Sequence, residues 1–162
     1  TNATVSEGIK VIGDRTFRDA ANLNAVVLPS TLTELKEGAF QQCGLTSITI
    51  PGENVTLGKQ SIAYLPNLET ITIRAKKVTI GDFCARACPK LKSVYIYSEE
   101  VTFAKPGSQY FTNLESDNTS SITYYVASQA IADAVKASIA TGHAKGAVIK
   151  NIDGTQTYYT IQ

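Results

Sequence analysis

Residues able to do chemistry are few in this chain. Hydrolysis through a serine or cysteine nucleophile requires a positioned base, most often histidine, and the 162 residues include a single one, His143. It follows the helix-stop signal Gly142, where a histidine more often meets terminal carbonyls or water than a substrate. Cys43, Cys84 and Cys88 are odd in number, and their spacing matches neither paired zinc knuckles nor a redox Cys-x-x-Cys. They read as buried free thiols, and being scattered through the core they cannot close a tetrahedral metal shell with the one histidine. Glu99-Glu100 is the obvious pair for acid and base work on a sugar, but neighbours on a strand face opposite ways, so a loop rim is the better placement. Neither G-x-G-x-x-G nor G-x-x-x-x-G-K-[ST] occurs. The expectation is a protein without catalytic residues, metal or cofactor.

Bulk properties narrow the class further. Fifteen basic and fourteen acidic side chains leave a formal charge of +1, which argues against the electropositive face that nucleic acid requires. The local excess Arg74, Lys76, Lys77, Arg86, Lys90 and Lys92 reads as solvated loops. No apolar run approaches a bilayer span, and no leader pattern opens the chain. The absence of methionine and the start at Thr1 point to a processed product or an excised piece of a longer polypeptide.

What could position any functional side chain is a repeat. Ile12, Leu35, Leu57, Ile80 and Phe103 head five similar segments, at steps of 23, 22, 23 and 23 residues. A second leucine recurs at Leu23, Leu45, Leu68, Leu91 and Leu114. After it come the alternating runs Ala25–Pro29, Ser47–Pro51, Thr70–Arg74 and Ser93–Tyr97, each with the period and β-branching of a half-buried strand. In the fifth copy the polar stretch Glu115–Ser121 reads as an inserted loop before Ile122–Val126. Shorter runs such as Val55-Thr56-Leu57 precede the heads and predict a second parallel ladder with Thr56, Thr79 and Thr102 outward.

Between the two strands, Phe17, Phe40 and Ile62 fall five residues after their heads, and Ala20, Cys43, Leu65 and Cys88 eight after. This spacing predicts a helical or 3₁₀ turn filling each coil. Cys43 and Cys88 share a column two coils apart, about 10 Å between backbones, beyond disulfide reach.

One coil exposes both flanks of its apolar set, so stacking makes the core and the ends need other chemistry. The stack is assigned to residues 1–126. Residues 127–162 form its cap: Ser128 is an N-cap for a helix over Gln129–Ala140, with Ala130, Ile131, Ala134, Val135, Ala137 and Ile139 as the apolar stripe. Ala147–Ile152 and Thr157–Ile161 then form a hairpin around the two-residue turn Asp153-Gly154. The opposite end is a raw coil through which two copies could pair.

Outward columns on the main strands make a continuous surface. The register places Val27, Thr49, Thr72, Tyr95 and Thr123 in one column and Pro29, Pro51, Arg74, Tyr97 and Tyr125 in the next. Tyr95, Tyr97, Tyr125, Arg74 and Thr72 are therefore the expected binding surface, since Tyr and Arg are enriched in interface hot spots.

The second copy, Leu35-Lys36-Glu37-Gly38-Ala39-Phe40-Gln41-Gln42-Cys43-Gly44-Leu45-Thr46-Ser47-Ile48-Thr49-Ile50-Pro51, resembles the BspA-like leucine-rich repeats of surface proteins from anaerobic bacteria and some protozoan parasites. Their unit runs roughly I-x-x-x-A-F-x-x-C-x-x-L-x-x-I-x-I-P; this copy is one residue short before Leu45. Ser61-Ile62 and Cys84-Ala85 replace its Ala-Phe, and Arg74 and Tyr97 its proline. The resemblance spans about Ile9 to Val126. It implies a right-handed leucine-rich-repeat solenoid of about five coils, secreted or anchored at the cell surface, that binds a protein, the extracellular matrix or a host surface without catalysis. A structural spacer in a larger surface protein, or a carbohydrate-binding domain with the tyrosines as stacking platforms, are the alternatives.

Overall fold

A computed structural model describes residues 1–104, 122–139 and 146–162. Leu114, the loop Glu115–Ser121, Gly142 and His143 lie outside the described residues. In chain order the elements are β1 (Asn2–Thr4), β2 (Val11–Ile12), β3 (Ala25–Val27), β4 (Glu34–Leu35), β5 (Ser47–Ile50), β6 (Asn54–Leu57) and β7 (Thr70–Ile73). They continue with β8 (Lys77–Ile80), β9 (Ser93–Ile96), β10 (Glu100–Phe103), β11 (Thr123–Val126), α1 (Gln129–Ile139), β12 (Val148–Asn151) and β13 (Thr157–Thr160).

Stacking sorts most of these strands into two parallel ladders, while β1 and β3 pair separately. The heads Ile12, Leu35, Leu57, Ile80 and Phe103 lie in register along β2, β4, β6, β8 and β10. On the main sheet Ile48, Ile71 and Val94 stand side by side in β5, β7 and β9. Leu45, Leu68, Leu91 and Phe40 are fully buried between the ladders. Each buried leucine contributes about 1.5–3 kcal/mol, and only while a neighbouring coil covers it. Thr56, Thr79 and Thr102 face outward in register, as their alternation requires.

The coil interior departs from the expected helical turn. Arg15, Gly38, Gln60 and Phe83, three residues after the heads, have φ of 54°, 63°, 53° and 54°; Asp19, Gln42, Tyr64 and Ala87, seven after, have 61°, 61°, 60° and 52°. Two left-handed residues per coil break any helix into successive tight turns. The reason lies in the hydrogen bonds. Phe17 N–H donates to Ala39 C=O at 2.8 Å, Phe40 N–H to Ser61 C=O at 2.8 Å and Ile62 N–H to Cys84 C=O at 3.0 Å, each to the following coil. Intervening amides close turns inside their own coil, as Gln41 N–H does on Gly38 C=O at 3.0 Å. The turns are thus a third ladder, and it satisfies backbone groups that a short isolated helix would leave bare.

One coil is tighter than the rest. Leu35 to Leu45 is a step of ten residues where the equivalent steps, such as Leu57 to Leu68, are eleven. The short coil closes at Gly44, where an added Cβ would lie 2.1 Å from the Ala21 carbonyl oxygen. That missing residue falls between β3 and β5, and those strands form no ladder. A single backbone bond, Thr46 N–H to Asn24 C=O at 3.4 Å, joins the segments just before them, and β3 pairs instead with β1. Val27 remains exposed on β3 beside β5, whereas Pro29 is buried and is not a member of the outward columns.

At the other end α1 and the hairpin close the stack. Ser128 Oγ accepts from Ile131 N–H at 3.3 Å, the N-cap bond that the sequence suggests. The buried face of α1 is Ile131, Ala132, Val135 and Ser138, while Ala130 and Ala137 are exposed. The inner stripe is rotated from the expected one because α1 must meet β10, β11, β12 and β13 together. β12 extends the main sheet in parallel beside β11, and β13 returns antiparallel as its edge. The connection is longer than a two-residue turn: Asn151 N–H reaches Gln156 C=O at 2.9 Å, with Asp153-Gly154 at the tip.

Candidate recognition face

Alternation on the main strands sends Thr49, Thr72, Tyr95, Tyr125 and Lys150 outward as one column. This corrects the expected column in its last strand. Thr123 lies opposite Ser93, and Tyr125, not Thr123, lies opposite Tyr95. A slip of two residues keeps every side chain on its own face, so hydrophobic alternation is blind to it. The inward Tyr124, fully buried, takes the position opposite Val94 that a shorter apolar residue fills elsewhere.

That register produces two aromatic contacts side by side. Tyr95 and Tyr125 stack with centroids 4.5 Å apart and planes 8° from parallel. In the next column the Arg74 guanidinium carbon sits 4.5 Å from the Tyr97 ring centroid. Tyr97 is 41% exposed, and Arg74 is also exposed. Thr72 is half-buried between Thr49 and Tyr95 in the ladder. Tyr95, Tyr97, Tyr125, Arg74 and Thr72 thus share one face. Alternation did not point to Gly154 or Lys150: a Cβ on Gly154 would lie 3.3 Å from the Tyr125 ring, and Lys150 flanks Tyr125 on β12. The Asp153-Gly154 turn signal was visible, but not that the hairpin tip would fold back beside this column.

Groups considered for chemistry are engaged elsewhere. Glu100 begins β10 and pairs with Lys77 at 2.9 Å, and Lys92 pairs with Glu69 at 3.3 Å, each across one coil. Lys90 donates to Asn67 at 2.9 Å. The three thiols are buried and free. Cys43 Sγ donates to Phe17 C=O at 2.7 Å and Cys88 Sγ to Ile62 C=O at 3.4 Å, the same carbonyl of the preceding coil in both cases. Burial pushes Cys43 up to about 11 and Cys84 and Cys88 up to about 12, so the nucleophilic thiolate is suppressed. Among the described residues no group of three or more His, Cys, Asp or Glu gathers as a metal site. Nor is any described helix long and apolar enough to cross a membrane.

The repeat geometry has a match in sequence. The profile of the BspA type leucine rich repeat region fits residues 1–133 in six copies. The chain belongs to the BspA-type leucine-rich-repeat family. Among solved structures, the crystal structure of the pneumococcal vaccine antigen PcpA superimposes with a TM-score of 0.62 at 22% identity. The match covers 93% of this chain and 35% of that one, so this BspA-type stack spans about a third of the antigen's length. At that identity the likeness concerns the fold alone. No curated protein matches the chain significantly. Membership in a BspA-type repeat family fits a non-enzymatic role.

Proposed function

We propose that this BspA-type stack is a cell-surface protein-binding module whose contact face is the outer side of the main sheet, centred on Tyr95, Tyr97, Tyr125 and Arg74. The observation that carries the reading is the paired arrangement of the Tyr95–Tyr125 stack and the Arg74–Tyr97 contact on adjacent columns. Rings held by one another and by a guanidinium are already ordered, so little side-chain entropy remains to be lost on association. Family membership and the fold shared with a pneumococcal vaccine antigen support placement at the cell surface. A protein fits this face better than a sugar, because stacking covers one face of both Tyr95 and Tyr125 and leaves less ring surface for a pyranose.

The test is surface-immobilised domain presented with a panel of purified extracellular matrix proteins. Saturable binding of at least one, weakened by Tyr97→Ala, supports the reading. Absence of binding across the panel supports the structural spacer instead.

A further inference from the structure

Charge on the two sheets is arranged differently. On the second sheet the cation beside the threonine column, Lys77, is neutralised by Glu100 one coil away. On the main sheet no carboxylate occupies an outward position of β5, β7, β9, β11 or β12, yet Lys150 does, and Arg74 follows directly after β7. Neither Arg74 nor Lys150 makes an ion pair among the described residues. At the rim, Glu69 is tied to Lys92, and Asp153 at the hairpin tip accepts from Thr155 N–H at 2.9 Å and Thr155 Oγ1 at 2.7 Å. The face therefore offers two cations with a tyrosine ridge between them, and the rim carboxylates Glu69 and Asp153 are held by other groups.

From this charge pattern we infer that the partner is an acidic protein segment, laid across the main sheet with carboxylates reaching Arg74 and Lys150 and apolar or aromatic side chains against Tyr95, Tyr97 and Tyr125. The inference rests on the recognition-face reading and narrows its partner. Arg74 is suited to the role because its contact with Tyr97 orients the guanidinium while its N–H edge remains free to fork onto a carboxylate. A carboxylate bound between these cations gains Coulomb attraction that salt screens over about 8–10 Å. A sulfated glycan would meet the same charges, but the covered tyrosine faces favour a peptide, whose side chains can pack edge-on against the ridge.

The experiment measures fluorescence anisotropy of labelled oligoglutamate and oligolysine peptides with the full chain, with heparin as competitor. Oligoglutamate is expected to bind at low salt, weaken as salt rises, and weaken by about tenfold or more with Arg74→Glu and Lys150→Glu together. The neutral pair Arg74→Gln and Lys150→Gln should give an intermediate loss, with all variants keeping the wild-type melting temperature. No binding of oligoglutamate, binding indifferent to the substitutions, or heparin binding that the substitutions abolish while oligoglutamate fails would each overturn the inference. If oligoglutamate fails while a matrix protein still binds in a Tyr97-dependent way, only the acidic partner is lost. If both fail, the recognition face falls as well.

Discussion

Tyr125 lies against Tyr95, in the same column of the main sheet, with ring centroids 4.5 Å apart. Among the described residues the ring partner of Tyr97 is Arg74, so a double-mutant cycle can separate the two columns. Alanine replacements in urea unfolding should yield a coupling of about 0.5–1.5 kcal/mol for Tyr95 with Tyr125, and a value within error for Tyr97 with Tyr125. The reverse pattern would restore the register in which Tyr125 follows Tyr97.

Gly44→Ala should destabilise the stack by at least about 2 kcal/mol, because the added methyl group meets a backbone carbonyl that cannot swing away. The control is Gly13→Ala, whose Cβ would meet only the Thr16 hydroxyl at 3.3 Å. Equal urea midpoints for the two variants would show that the short coil has room to relax.

The thiols make stability depend on alkali. Their ordinary value of 9.0 is raised to about 11 for Cys43 and about 12 for Cys84 and Cys88 in the fold. Above pH 9 the unfolded chain loses these protons while the folded chain keeps them, so the unfolded state binds fewer protons and stability falls as pH rises. The contribution is full below the unfolded value and is lost as pH climbs through the folded values. Urea midpoints should therefore drop between about pH 9 and 12, and less steeply when all three cysteines are replaced by alanine. Alkylation of the native chain at pH 8 that proceeds as fast as in urea would contradict burial of the thiols.

Ser128→Ala removes the side-chain acceptor that caps α1 and should cost about 1 kcal/mol. The loss should be local. Hydrogen exchange should rise in α1 and the adjoining hairpin, where Asp133 accepts from both Tyr159 and Gln129, before it rises in the coils. Uniform acceleration along the chain would mean that the cap and the stack open as one unit.

These tests also mark where the sequence is informative. The heads, the leucine columns and the in-register strands were legible because burial on both sides of a coil forces the same residue types at the same offsets. The left-handed pair in each turn was not. Arg15, Gln60 and Phe83 at one position, and Asp19, Gln42, Tyr64 and Ala87 at the other, share no local preference for positive φ. Their conformation is imposed by bonds to the next coil, which no single repeat encodes. The recognition columns were legible from β5 to β9, where the spacing is regular. At β3, beside the shortened coil, the ladder to β5 is lost and Pro29 is buried, and at β11 alternation permits a two-residue slip.

The most direct measurement compares the two outer faces against one matrix protein that binds the domain. Tyr95→Ala with Tyr97→Ala alters the main sheet, and Thr56→Ala with Thr79→Ala alters the second sheet. Affinity should fall by about tenfold or more in the first variant and stay unchanged in the second. Unchanged affinity in the tyrosine variant, or a greater loss in the threonine variant, would place recognition elsewhere on the stack.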